Sequence, residues 1–143
     1  MTNKMQKFTA DVFLLCDHSI FAQDGKFSII GIFDKIFVTK LPATHPKMVV
    51  ASIISGDPNS VCSLEIEFIG PDGQISKQNK PTSMNIKVGV NGKGNVASEY
   101  IGFTVMDIGE HKVRLRINGD IVKEIPLYVQ KVAVNEGFRK QSN

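Results

Sequence analysis

Hydrophobic and polar residues alternate strictly along two stretches of the chain. In residues 62–68 every second position is apolar, and serine or glutamate lies between the apolar positions. Residues 111–118 repeat the pattern, with valine, leucine and isoleucine set against lysine and arginine. A period of two is typical of β-strands that have one buried and one solvent-facing side. Asn118-Gly119 tolerates the positive φ angles of a tight hairpin, so a returning strand is predicted at residues 122–130.

Weaker signals of the same kind extend over the rest of the chain. Turn-forming residues such as Asp24-Gly25 separate runs rich in β-branched and aromatic residues, the pattern of an all-β sandwich or barrel. Residues 8–20 also fit a helical stripe, but their phenylalanine, valine and leucine content and the turn that follows favour a strand. Pro126 cannot donate a hydrogen bond to a neighbouring strand, which predicts an edge position. The further strands are predicted at residues 27–33, 35–40, 48–55, 84–90 and 98–106.

The charges support an immunoglobulin-like order of these strands. In that order residues 62–68 and 111–117 are the C and F strands, which lie side by side in one sheet. Their solvent faces then bring Glu65 and Glu67 against Arg114 and Arg116, and opposite charges across strands are favourable. Residues 107–111 resemble the approach to a tyrosine corner, with histidine in place of tyrosine. We predict an immunoglobulin-like antiparallel β-sandwich with an extra N-terminal hairpin.

Composition sets the class of protein. The chain has 143 residues, of which 42% are hydrophobic and 22% charged, and its net charge is +3. These values predict one globular domain and no concentrated basic surface. We expect a flexible N-terminus at residues 1–7, a single sandwich domain at 8–131 and a mobile tail at 132–143. The first apolar run is too short for a secretory or membrane-spanning segment, and two cysteines in strands read as free thiols, so we expect a cytoplasmic protein.

A family resemblance adds to this picture. The residues Leu14-Leu15-Cys16-Asp17, Asp24-Gly25-Lys26, Ile29-Ile30-Gly31-Ile32-Phe33-Asp34, Leu41-Pro42 and His45-Pro46 resemble a family of small bacterial proteins of unknown function. The resemblance extends over roughly residues 8–131 and is most specific in the first forty. Members of that family often carry tyrosine where this chain has His18 and His111. The resemblance implies an immunoglobulin-like fold in a bacterial cytoplasm, and it brings no activity, cofactor or catalytic residue.

Candidate catalytic and metal-binding chemistry is sparse. Cys16, Asp17 and His18 are consecutive, so in a strand their side chains alternate between two faces and cannot share one metal ion. Cys62 lies in the inward register of its strand, and no Gly-x-Ser-x-Gly motif marks a nucleophilic serine. We therefore expect no catalytic residue, no cofactor, no metal site and no enzymatic activity. A small-ligand-binding protein or an enzyme with a cleft near Asp17, His18 and His45 is the alternative.

Phosphate and nucleic-acid binding are weakly supported. Gly89, Gly92 and Gly94 surround Lys93, but the Gly-Lys-Ser/Thr ending and the following helix of a phosphate-binding loop are missing. A hairpin connection between two strands explains these glycines better than a phosphate-binding loop does. The lysines are spread over several elements without interleaved aromatic residues, unlike those of a nucleic-acid surface. We expect neither a nucleic-acid partner nor a membrane partner.

The N-terminal strands have more apolar residues than one buried face requires. Around residues 12–16 and 27–32 both faces of the predicted strands are apolar, whereas an antiparallel sandwich buries only one. The second face is either covered by the first hairpin itself, with Phe21, Phe33 and Phe37 folding over the sheet, or it binds a partner. The function we predict is a non-catalytic protein-interaction module, for which self-association through these strands is one form. The candidate surface consists of Phe13, Leu15, Phe27, Ile29, Phe33 and Phe37.

Overall fold

A computed structural model describes residues 7–133, which form nine β-strands. The segment that also fitted a helical stripe is a strand of 13 residues. The nine strands are β1 (Thr9–Phe21), β2 (Phe27–Phe33), β3 (Lys35–Val38), β4 (Ala43–Ser55), β5 (Val61–Ile69), β6 (Thr82–Lys87), β7 (Lys93–Val105), β8 (Gly109–Ile117) and β9 (Asp120–Lys131). Residues 7–133 contain no helix that is long and apolar enough to cross a membrane.

The expected terminal segments fall mostly outside the described residues. Of the N-terminal segment 1–7 only Lys7 is described, and of the tail 132–143 only Val132 and Ala133. Val132 follows the end of β9, and its N–H donates to the carbonyl oxygen of Val38 at 2.8 Å.

The strands form two sheets packed face to face. One has the order β2-β1-β4-β7 and the other the order β3-β9-β8-β5-β6. β4 and β7 hold the positions of the B and E strands of an immunoglobulin sandwich, and β5, β8 and β9 those of C, F and G. Neighbouring strands run antiparallel except β3, which is parallel to β9. The immunoglobulin-like sandwich is therefore confirmed, and β2 is an additional edge strand contributed by the first hairpin.

The predicted charge pairing between β5 and β8 is present. Glu65 lies opposite Arg116, and Glu67 lies opposite Arg114. The closest ion pair is diagonal: Nε of Arg116 donates to Oε1 of Glu67 at 2.9 Å, and Nη1 of Arg114 lies 3.6 Å from the same oxygen. Arg114 also binds Glu124 of β9, with Nε 2.8 Å from Oε2. A row of charges therefore crosses the outer face of this sheet.

Pro126 lies in an internal strand, which corrects the edge position predicted for it. β9 has β8 on one side and β3 on the other. However, β3 pairs with β9 only from Tyr128 to Lys131. The N–H of Tyr128 donates towards β3, to the carbonyl oxygen of Asp34. Because alternate residues of a strand direct their N–H groups to the same side, the missing N–H of Pro126 also faces that side, where no described strand pairs with it, and the proline is tolerated.

Two apolar clusters fill the fold. The main core lies between the sheets and includes Leu15, Met48, Leu64, Leu115 and Leu127, each at most 1% exposed. A second, smaller cluster contains Cys16, Val49 and Ala51. Because Val49 and Ala51 alternate along β4 with Met48 and Val50 of the main core, the second cluster lies on the opposite side of the same sheet.

Candidate interaction surface on the first hairpin

Two of the six predicted surface residues lie in the main core. Phe13 is 7% exposed and Leu15 is 1% exposed. Both point between the sheets from β1, so their side chains are not available to a partner as the sequence analysis supposed. This is a correction, and its cause is the register of β1: where both faces of a strand are apolar, alternation alone does not tell which one is inside.

Phe27 and Ile29 are half-buried and cover the second cluster. Their side chains pack against Cys16, Val49 and Ala51. Phe27 pairs with Phe21, five positions beyond Cys16, a distance of about 17 Å along a straight strand. The hairpin must therefore curve towards the outer face of the sheet. The first hairpin thus folds over its own sheet through Phe27 and Ile29. Of the residues expected to form this cover, Phe21 and Phe37 are instead 55% and 61% exposed, and Phe33 packs against the main core.

Gly31 lies in the curved part of β2. Its φ angle of +74° is one that side-chain-bearing residues rarely adopt, and a Cβ there would clash with Oδ2 of Asp17. Glycine thus permits both the conformation of β2 and its close approach to β1. A glycine inside an apolar strand is the sequence signal that could have indicated this irregularity.

The exposed apolar side of the hairpin carries isoleucines that the sequence analysis did not assign to the surface. Ile30 is 48% exposed and Ile32 is 64% exposed, and Ile20 of β1 is 43% exposed. The register places Ile30 opposite His18 and Ile20 opposite Ser28. Since Ile20 and His18 alternate along β1 and His18 lies opposite Ile30, Ile20 and Ile30 share one side of the hairpin, and Ile32 lies beyond Gly31 in the same edge strand. We call these three residues the hairpin patch.

A shallow groove adjoins the hairpin patch. It has a volume of about 430 Å³ and lies between the end of β2 and the part of β9 that β3 does not reach. The groove brings together three of the predicted surface residues, Phe13, Leu15 and Phe33, with Ile32 at its margin. Phe33 also packs against the main core and against the ring of His45, with ring centroids 5.7 Å apart. The other lining residues are Leu14, Asp34, Ile125 and Pro126.

Phe37 and the alternative histidine cleft lie elsewhere. Phe37 of β3 is 61% exposed and lines a separate groove with His45, so it does not join the hairpin patch. His18 contacts Lys47, with Nδ1 of the histidine 3.0 Å from Nζ. Asp17 packs beside Gly31. The groove that contains His45 is not lined by Asp17 or His18, so the structure does not favour the cleft considered as an alternative.

One polar cluster on the surface has the residue types of a nucleophilic site. Ser55 Oγ donates to Oδ2 of Asp11 at 2.6 Å and lies 2.6 Å from Nζ of Lys93, which also bonds to Asp11. The Lys93 hydrogen bond, followed by that of Ser55, holds the pKa of Asp11 below its ordinary value of 3.8. Nζ of Lys93 donates to both the Asp11 carboxylate and the Ser55 hydroxyl, so in this arrangement it is a hydrogen-bond donor to the serine and not the acceptor that a general base must be. The cluster ties together β1, β4 and β7.

The cysteines are unsuited to nucleophilic chemistry. Both are free and buried. Desolvation raises the pKa of each thiol above its ordinary value of 9.0. A reactive cysteine needs the opposite shift and an open position. Within residues 7–133, no group of three histidine, cysteine, aspartate or glutamate side chains is arranged to hold a metal ion.

A cavity that the sequence analysis did not predict lies at one end of the sandwich. Its volume is about 610 Å³, and it is bounded by the loop between β5 and β6 and by the β7–β8 connection. Asn79 fastens this loop to β7, because its amide donates to the carbonyl oxygen of Thr104 at 2.7 Å and accepts from the Thr104 N–H at 3.0 Å. His111 lines the cavity, and its Nδ1 lies 3.2 Å from the carbonyl oxygen of Gly109. Apart from the turn at Pro71-Asp72-Gly73, the sequence carried no signal for this cavity.

Solved structures with a similar fold are distant in sequence. The alkylpurine DNA glycosylase AlkC of Pseudomonas fluorescens, solved with DNA containing an abasic site analog, matches 86% of this chain with a TM-score of 0.54 and 7% identity. A β-glucosidase from Listeria innocua in complex with isofagomine matches 92% of this chain with a TM-score of 0.53 and 7% identity. The chain spans only 30% of the glycosylase and 17% of the glucosidase. At such identities these likenesses concern the fold alone.

A small immunoglobulin-like protein and one protein family also resemble this chain. An immunoglobulin-like protein from Pseudomonas aeruginosa has a TM-score of 0.45 and 16% identity over 87% of this chain and 97% of its own. No protein of curated function matches the sequence significantly. The sequence profile of a family of unknown function matches residues 11–130, which is most of the chain. The chain therefore belongs to the family of unknown function DUF6941.

Proposed function

We propose that this chain is a non-catalytic protein-interaction module that associates with a second copy of itself through the first hairpin. The observation that carries the proposal is the exposure of Ile30 and Ile32, at 48% and 64%, on a strand at the edge of its sheet. Neighbouring exposed isoleucines on an edge strand favour pairing with another chain. Burial of the hairpin patch would supply the apolar area, and the free edge of β2 would supply backbone hydrogen bonds.

The surface chemistry supports a protein partner. The hairpin patch is apolar, whereas a nucleic-acid or anionic membrane surface would be bound by clustered lysine and arginine. We also propose a cytoplasmic location, since the two free thiols suit a reducing compartment. The absence of catalysis is part of the same proposal. It is supported by the raised thiol pKa values and by the ion pair that occupies Lys93.

The experiment is a measurement of molar mass in solution by light scattering after size-exclusion chromatography, from micromolar to millimolar protein. We expect a concentration-dependent dimer. Ile32→Asp places a charge in the hairpin patch and should give a monomer with an unchanged melting temperature, because Ile32 is 64% exposed. The matched control is Ile101→Asp, which alters an isoleucine that is 70% exposed in β7 of the same sheet.

Two results would contradict self-association through the first hairpin. A wild-type chain that stays monomeric at millimolar concentration excludes self-association as its function. A dimer that Ile32→Asp and Ile101→Asp leave equally intact excludes the first hairpin as the interface. Phe33→Asp is unsuitable for this test, since Phe33 packs against the main core and its replacement would also disturb the fold.

A further inference from the structure

Among the strands of residues 7–133, four lie at the edge of a sheet, and they differ in how well they are protected against pairing. Natural edge strands are often blocked by charged side chains, especially lysine. β3 carries Lys35, β6 carries Lys87, and β7 carries Lys93 and Glu99. The backbone of β7 is additionally capped by the side-chain amide of Asn79 at Thr104. β2, with the sequence Phe-Ser-Ile-Ile-Gly-Ile-Phe, contains neither a charge nor a proline.

A charged residue lies next to each end of β2, and the two charges have opposite sign. Lys26 immediately precedes the strand, and Asp34 immediately follows it. Both residues are exposed. The ammonium group of Lys26 has only a loose partner, with Nζ 3.6 Å from Oδ2 of Asp24 and its side chain 82% exposed. Lys26 is therefore available to a better-placed carboxylate.

The residues in and around β2 have complementary charges when two copies of the strand are paired antiparallel. In an antiparallel pairing of two copies with Ile30 opposite Ile30, Phe27 lies opposite Phe33 and Lys26 lies opposite Asp34. Residues directly opposite each other share a face, so each end of the paired strands brings a cation against a carboxylate. A twofold axis would generate both ion pairs at once, as in the isologous interface of a symmetric dimer.

We propose that the partner of β2 is β2 of a second copy, paired antiparallel about a twofold axis at Ile30, with Lys26 of each copy bound to Asp34 of the other. This inference rests on the self-association proposed above and adds its geometry. The two β2-β1-β4-β7 sheets would then be joined edge to edge through the backbone of β2. The exposed side chains of Ile30 from the two copies would lie against each other on the axis.

Cysteine cross-linking tests the axis. Opposite residues in antiparallel strands have Cα atoms about 4.5–5.5 Å apart, within the range that a disulfide spans. Ile30→Cys should therefore give a disulfide-linked dimer under mild oxidation. Ile32→Cys, equally accessible, lies opposite Ser28 in this register and about 13 Å along the strand from its own copy, so it should not cross-link. The native thiols are buried and do not compete.

Charge reversal tests the ion pairs. Lys26→Glu places two carboxylates together at each end and should raise the dimer dissociation constant about tenfold or more. Combining it with Asp34→Lys restores opposite charges and should return the constant to near the wild-type value. Lys77→Glu changes the net charge equally at an exposed loop position and should have little effect.

The possible outcomes distinguish the pairing of β2 about an axis at Ile30 from the more general proposal of self-association through the first hairpin. A wild-type chain that is monomeric at all concentrations would exclude both proposals. A wild-type dimer in which Ile32→Cys cross-links as readily as Ile30→Cys, or in which neither cross-links, excludes the axis at Ile30. A double charge variant that dimerises no better than Lys26→Glu alone excludes the ion pairs. In those last two cases self-association through the hairpin still stands.

Discussion

Removing the carboxylate of Glu67 should destabilise the fold by about 2 kcal/mol. Glu67 is 5% exposed, although it lies on the outer face of its sheet. Its Oε1 accepts from Nε of Arg116 at 2.9 Å and lies 3.6 Å from Nη1 of Arg114. Deleting one member of a fully buried ion pair costs roughly 3–5 kcal/mol, whereas exposed pairs contribute about 0.2–1 kcal/mol. The side chains of Arg114 and Arg116 are 22% and 29% exposed, so Glu67→Ala falls between these limits.

The loss of stability expected for Glu67→Ala is further limited by the other hydrogen-bond acceptors of Arg114 and Arg116. Arg114 keeps its bond to Glu124, and Arg116 keeps a bond from Nη1 to the carbonyl oxygen of Gly119 at 3.0 Å. Neither guanidinium is therefore left without an acceptor when Glu67 is removed. A double-mutant cycle of Glu67→Ala with Arg116→Ala isolates the direct interaction, for which we expect about 1 kcal/mol.

Urea unfolding measures the effect. With a slope of about 1–3 kcal/mol per molar urea, a loss of about 2 kcal/mol lowers the midpoint by roughly 1 M. Glu65→Ala is the matched control, since Glu65 lies on the same face of β5 and forms no ion pair within the described residues. It should change stability by less than about 0.5 kcal/mol. Equal losses for the two variants, or no loss for Glu67→Ala, would refute the assignment of stability to this ion pair.

Two further predictions concern titrating groups. The folded-state pKa of Asp11 is lowered from 3.8 by its hydrogen bonds to Lys93 and Ser55, so its stabilising contribution is present above the unfolded-state pKa and is lost as the pH falls through the lower value. The melting temperatures of the wild type and Asp11→Asn should differ near neutral pH and converge below pH 3.8; a difference that persists in acid would contradict this. Cys16 and Cys62, 0% and 2% exposed with raised pKa values, should not react with an aromatic disulfide at pH 8 until the protein unfolds. Rapid reaction of either thiol in the native protein would show that its burial is not maintained in solution.

The pairing of β5 with β8 could be predicted from the sequence. One face of each strand is apolar and the other carries charge, so only one orientation buries the apolar side chains. The opposite signs of Glu65 and Glu67 against Arg114 and Arg116 then favoured the pairing that the structure has. Pattern and electrostatics point to the same answer here, which is why the prediction succeeded.

The first hairpin could not be assigned in the same way, because both of its faces are apolar. In β2 the alternation separates Phe27 and Ile29 from Ile30 and Ile32, but it does not say which pair faces inward. The structure buries the first pair partly against the second cluster and exposes the second pair, the reverse of the predicted surface. The deciding factor is the curvature of the hairpin, a tertiary feature that a period of two does not encode.

The two faces of β2 therefore have different roles. Phe27 and Ile29 hold the hairpin against Cys16, Val49 and Ala51, so they fix where the strand lies. Ile30 and Ile32 take no part in either apolar cluster, so their replacement leaves that packing unchanged. An interface formed by the exposed face depends on the inner face for its shape, and substitutions at Phe27 or Ile29 would alter stability and association together. Ile32 is the position at which association can be changed while the fold is kept, which is why the proposed function is tested there.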